Sequence, residues 1–110
     1  MFARIAICDR IDVANIAPVV AWFQAHSDEL NDQLPGYLGS QTLLDHESRR
    51  MIGIGLYDSE AHAQAVDAVV DQGPPPDMPH ELQATLAQGE QTYRGVFEVV
   101  DCDGLLSASA

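Results

Sequence analysis

Chemistry in this chain has to come from a short inventory: four histidines, five arginines, three tyrosines and two cysteines, with no lysine. Without lysine there is no Schiff-base catalysis and no covalently held pyridoxal phosphate. His62 follows Tyr57 closely and shares a helical face with Val66 and Val69, the i, i+4, i+7 spacing. An imidazole there can act as general base at a cavity mouth, taking a phenolic proton while Tyr57 orients the ligand through its hydroxyl. Packing at a helix–sheet edge is the commoner role for such a pair. Arg4 and Glu98 each interrupt an otherwise apolar strand face; if they face each other, Cys8 falls opposite Arg94. That polar line would bind an anionic or phenolate ligand, or else act as a paired charge that fixes register across a dimer.

The remaining histidines carry less. His26, beside Phe23, reads as packing, and His46 and His80 read as solvated. No close His/Cys/Asp/Glu spacing suggests a metal, no Gly-rich strand-to-helix loop suggests a dinucleotide, and no Ser/His/Asp or Cys/His set is readable. The expectation is a site without metal or cofactor, in an enzyme or equally in a binding protein.

The elements that must position these residues centre on the stretch from Leu34 to Ala65. Pro35-Gly36 is a turn pair, Tyr37 to Asp45 a strand, His46 to Arg49 a polar hairpin loop, and Met51 to Tyr57 a returning strand. Asp58-Ser59 offers an N-cap for a helix over Glu60 to Asp71. Gly53 and Gly55 weaken the second strand and need a reason. Either a bulge or close helix crossing requires them, or a face without side chains leaves room for a ligand. Before this unit come a strand, Phe2 to Cys8, and a helix from about Asn15 to Asn31-Asp32. After it come a Pro-rich extended segment, a short helix over His80 to Gln88, and a last strand over Tyr93 to Cys102. One domain spans residues 1–103, and a mobile tail is expected at 104–110.

This β-α-β-β-α-β order is the ferredoxin-like α+β arrangement, a four-stranded antiparallel sheet with both helices on one side. Yet both sheet faces are apolar: Ile5, Ile7, Ile52, Ile54 and Leu56 on one, Phe2, Ala6, Met51 and Tyr57 on the other. An uncovered sheet would expose several hundred Å² of apolar surface, more than a soluble monomer usually shows. A second copy packed sheet to sheet covers it, which predicts a two-fold homodimer.

A formal charge of −12 over 110 residues argues against nucleic-acid partners and anionic membranes, which need clustered cations. With no signal-like or membrane-spanning run, a cytoplasmic location is expected, where Cys8 and Cys102 stay reduced. Topology also sets the two cysteines at opposite ends of neighbouring strands, too far apart for a disulfide.

Leu-Pro-Gly-Tyr-Leu-Gly-Ser-Gln, the glycine-interrupted strand ending Tyr57-Asp58-Ser59-Glu60-Ala61, and the closing Phe97-Glu98-Val99-Val100 resemble the antibiotic biosynthesis monooxygenase-like family. The resemblance covers roughly Phe2 to Asp101 and implies a dimeric α+β barrel. It also implies cofactor-independent monooxygenation of a small aromatic or polycyclic substrate held between sheet and helices. His62, or a phenolate stabilised by arginine, would generate a carbanion-like substrate that reduces dioxygen itself. The implied site comprises His62 and Tyr57, with Arg4, Arg94, Glu98, Gly53 and Gly55 around the ligand. A dimeric protein that binds a small hydrophobic molecule without turnover is the alternative. Haem-degrading relatives carry a first-strand Asn, a strand-end Trp and a late-helix His. Here the first strand has no Asn, Tyr57 replaces the Trp, and His62 comes early, so haem degradation is disfavoured.

Overall fold

The Pro35-Gly36 turn launches the central hairpin of the computed structural model, which describes residues 1–103; the tail expected at 104–110 lies outside the described residues. Gly36 takes φ +75°, and its carbonyl accepts from the Asp58 amide at 2.9 Å, tying the hairpin's start to its end. A Cβ at Gly36 would collide with the Asp58 and His62 side chains, so glycine is required there twice over. The eight elements are β1 (Phe2–Asp9), α1 (Ile16–Ala25), α2 (Ser27–Asn31), β2 (Tyr37–Asp45), β3 (Arg50–Tyr57), α3 (Glu60–Val70), α4 (His80–Gln88) and β4 (Glu90–Glu98). The strands form one antiparallel sheet in the order β2-β3-β1-β4, the ferredoxin-like arrangement.

Local chemistry explains most boundaries. Ser59 sits in extended backbone before α3 and its hydroxyl accepts from the His62 amide at 3.1 Å, while Glu60 meets the positive helix end. The single helix expected to run to Asn31-Asp32 instead breaks at His26, whose φ of −110° leaves the helical region. The His26 ring competes for the same Trp22 carbonyl that its own amide uses, and the chain restarts as α2.

The last strand is displaced from the expected Tyr93 to Cys102. Gly89 closes α4 and the chain enters the sheet at once, with Glu90 opposite Asp9. At the other end β1 runs out: Glu98 meets Phe2, and the Val99 amide bonds the Met1 carbonyl. The register runs unbroken from Phe2 to Ile7 and shifts only between Ile7 and Cys8. Arg4 lies opposite Val96, Arg94 opposite Ala6, and Cys8 opposite Gln91, so neither the Arg4–Glu98 pairing nor the Cys8–Arg94 pairing forms. Cys8 and Cys102 are free thiols.

All helices lie on the face of Phe2, Arg4, Ala6 and Cys8. Ile11, Ile16 and Val19 pack there with Met51 and Leu44 from the sheet and Leu82 and Leu86 from α4. Tyr57, Ala63 and Val66 form a second cluster under α3. Neither cluster includes Ile5, Ile7, Ile52 or Ile54, which alternation puts on the opposite face. There Leu43, Tyr93 and Phe97 are each about 45 % exposed, and Tyr93 and Phe97 stack at 6.5 Å above Gly95. This open side is the apolar face for which a second copy was expected.

Candidate functional site

Arg4 and Arg94 do not line up with Glu98 along the sheet; they reach acidic side chains on and just after α3. Arg4 is only 9 % exposed, and its Nε donates to Asp67 at 2.8 Å. Its Nη2 is buried without a partner. Arg94 donates to Asp71 at 3.0 Å and stands 3.8 Å from Asp67, so Asp67 links both guanidiniums. The hydrogen bond from Arg94 to Asp71, with both carboxylates close by, holds the Arg94 guanidinium firmly charged. Glu98 stands apart, exposed at the end of β4.

His62 and Asp58 pair at 2.6 Å at the outer end of α3, against Gly36. Both are well exposed, and the His62 hydrogen bond holds the Asp58 carboxyl below the ordinary range. This pair lies away from the space between helices and sheet.

Tyr57 reaches that space. It is 3 % exposed, meets Tyr37 edge to face at 6.0 Å, and folds its ring back over Gly55. Burial is the main reason its hydroxyl pKa is raised; the Arg4 charge pulls the other way and Tyr37 adds to the rise. The hydroxyl is therefore a donor near neutral pH. One residue pair further in, a Cβ at Gly53 would meet nothing within 4 Å. The missing side chains thus do two different things: Gly55 makes room for the Tyr57 ring, and Gly53 leaves space empty beneath the helices.

Tyr57 borders a cavity of about 780 Å³, within the usual range for a small-molecule site. Phe23 and Leu30 wall it from α1 and α2, Val66, Val69 and Val70 from α3, and Pro74, Pro75 and Pro76 from the segment after α3. A neighbouring hollow of about 590 Å³ extends it over β2, and the two share Phe23, Leu30, Tyr37 and Leu86. Of the residues selected from the sequence, Tyr57 alone lines either hollow. Arg4, Arg94 and Asp67 lie together beneath α3, while His62 and Glu98 each lie elsewhere.

The sequence reading passed over two wall residues. Trp22 and His26 stack with ring centroids 4.0 Å apart, and both line the larger cavity. Their i, i+4 spacing on one helix was the available signal. What it did not disclose was that this face turns toward open space and not toward solid core. Among the described residues no group of three or more His, Cys, Asp or Glu side chains is placed to hold a metal ion, and no helix is long and apolar enough to cross a membrane.

Solved structures place the chain in a known class. A dimeric ferredoxin-like protein from an uncultured marine organism superposes with a TM-score of 0.62 at 15 % identity, over 96 % of this chain and 100 % of that one. MhuD from Mycobacterium tuberculosis, a heme-degrader whose structure holds two hemes in its active site, matches with a TM-score of 0.56 at 21 % identity, over 94 % of this chain and 100 % of that one. A heme-free structure of a heme-degrading protein from the same organism gives 0.51 at 22 %, over 94 % and 97 %. The fold is thus the ferredoxin-like α+β fold of these proteins. No family model and no curated protein matches the sequence.

Proposed function

We propose that this chain is a cytoplasmic homodimer of the antibiotic biosynthesis monooxygenase-like kind. In this reading it binds a flat, hydrophobic aromatic molecule between helices and sheet and oxidises it with dioxygen. The observation that carries the proposal is the largely apolar cavity of about 780 Å³ with the buried Tyr57 in its wall. The substrate it suits has a CH2 between two aromatic rings and a carbonyl conjugated with it through those rings. Loss of a proton gives a carbanion whose charge rests largely on oxygen, where a donor such as Tyr57 stabilises it in a water-poor site. That carbanion reduces dioxygen: one oxygen atom converts the CH2 to C=O and the other leaves as water, so no outside reductant is needed. The open face with Ile5, Ile54 and Phe97 supports pairing through the sheets, as does likeness to a dimeric ferredoxin-like protein.

Likeness to a heme-degrader is an argument from fold, not from site. The α3 residues that line the cavity here, Val66, Val69 and Val70, cannot bind iron, and the imidazole in its lining is that of His26, at the end of α1. A specific observation favours the non-catalytic alternative: neither His62 nor either sheet arginine lines the cavity. Oxygen uptake by metal-free protein with anthrone separates the two. Uptake that falls at least tenfold in Tyr57→Phe, with the dimer intact, supports the enzyme. Anthrone binding without uptake supports the binding protein.

A further inference from the structure

The Trp22 carbonyl fixes the state of the His26 ring. That oxygen can only accept, and it lies 2.8 Å from Nδ1, so Nδ1 carries a hydrogen. In the neutral ring Nε2 is then the free lone pair. It has no hydrogen-bond partner among the described residues, and His26 is half-buried in the cavity wall. The Trp22 indole lies almost parallel to the imidazole, 19° from it, and blocks the ring from turning over. Imidazoles held through Nδ1 to a backbone carbonyl present Nε2 as an oriented acceptor.

We propose that His26 is the proton acceptor of this cavity, and that its ligand is a planar aromatic bearing an ionisable hydroxyl directed at Nε2. The inference rests on the cavity reading above and specifies its ligand. The ligand O–H bond donates to Nε2; on transfer, the proton stays on the imidazole and the electron pair stays on the ligand oxygen as a phenolate. No other reactant takes part. The groups facing His26 across the cavity fit this assignment. Tyr57 and Tyr37 offer hydroxyls from the sheet, Glu29 stands on α2, Asp77 follows the prolines, and Leu86 of α4 is apolar. Glu29 and Asp77 are carboxylates, intrinsically weaker bases toward a phenolic hydroxyl than an imidazole. The Asp58-bound His62 stands outside the lining, so it does not compete for this role.

Two probes of one shape test the assignment: 7-hydroxycoumarin, with an ionisable hydroxyl, and 7-methoxycoumarin, without one. Both are titrated into wild-type protein and His26→Phe, which keeps a ring beside Trp22. The expected result is that 7-hydroxycoumarin binds His26→Phe about tenfold more weakly, the size of one lost charge-assisted hydrogen bond. Its bound spectrum should also lose phenolate character, and 7-methoxycoumarin should bind both proteins within about twofold. In wild type the Nε2 nitrogen-15 resonance should move toward its protonated position only with the hydroxylated probe. Equal binding of 7-hydroxycoumarin to the two proteins overturns the role of His26 and leaves the cavity reading standing. If neither probe binds wild type, the cavity reading falls and this inference falls with it.

Discussion

The ring of Tyr57 lies so close over Gly55 that a Cβ at position 55 would stand 2.9 Å from the ring carbon Cε2. A strand glycine two residues before an aromatic here acts as a seat for it. Gly55→Ala therefore has to push the ring out of its buried position, at a cost of about 1–3 kcal/mol. Gly53→Ala meets open space and gains the strand preference of alanine over glycine, which keeps stability level or raises it by up to about 1 kcal/mol. Urea titration checks both: a lowered midpoint for Gly55→Ala and an unchanged or raised one for Gly53→Ala.

The two sides of the Arg4–Asp67 bridge are not equivalent. Asp67→Ala removes the acceptor from a buried guanidinium and should cost about 2 kcal/mol, whereas Arg4→Met replaces the guanidinium by an apolar chain of similar length. Asp67 then remains 39 % exposed and 3.8 Å from Arg94, so Arg4→Met should cost less than about 1 kcal/mol. Equal losses in the two variants would contradict this account of the bridge.

Phe97 is 45 % exposed on the open face, so the monomer does not need it buried. Phe97→Arg should leave the far-ultraviolet circular dichroism spectrum unchanged and convert a sedimenting dimer to a monomer. A wild type that sediments as a monomer at micromolar concentration would remove the paired barrel from the proposed function.

Asp58 supplies an acid-sensitive contact. His62 favours its ionised form, so the folded pKa lies below the ordinary 3.8. A group depressed in this way contributes stability that is fully present above the unfolded value and lost as pH falls through the folded one. The difference in melting temperature between wild type and Asp58→Asn should hold above about pH 5 and close progressively below pH 4. The pair is exposed, so the difference should be small throughout, and catalysis should be unaffected.

The topology was legible because its signals are local. Pro35-Gly36 and the Ser59 cap depend on residues next to one another, and the alternation in Met51 to Tyr57 fixes which side chains share a face. The register of β4 was not legible in that way. It depends on where β1 and β4 begin and end, so the apparent partners Arg4 and Glu98 were two residues out of step, and a shift between Ile7 and Cys8 moved Cys8 further. The site failed for a related reason. His62 and Arg4 look reactive in sequence, but Asp58 and Asp67 satisfy them locally, and the residue that earned no chemical reading, His26, is the imidazole that meets the cavity. Trp22 and His26 share their cavity with Pro74–Pro76, about fifty residues further along the chain, and no periodicity in α1 reports that.

Trp22 is the single tryptophan of the chain, and it rests against the imidazole on the cavity wall. The intrinsic emission of the unlabelled protein should change colour when a ligand displaces water beside the indole. The molecule thus contains its own optical gauge of occupancy.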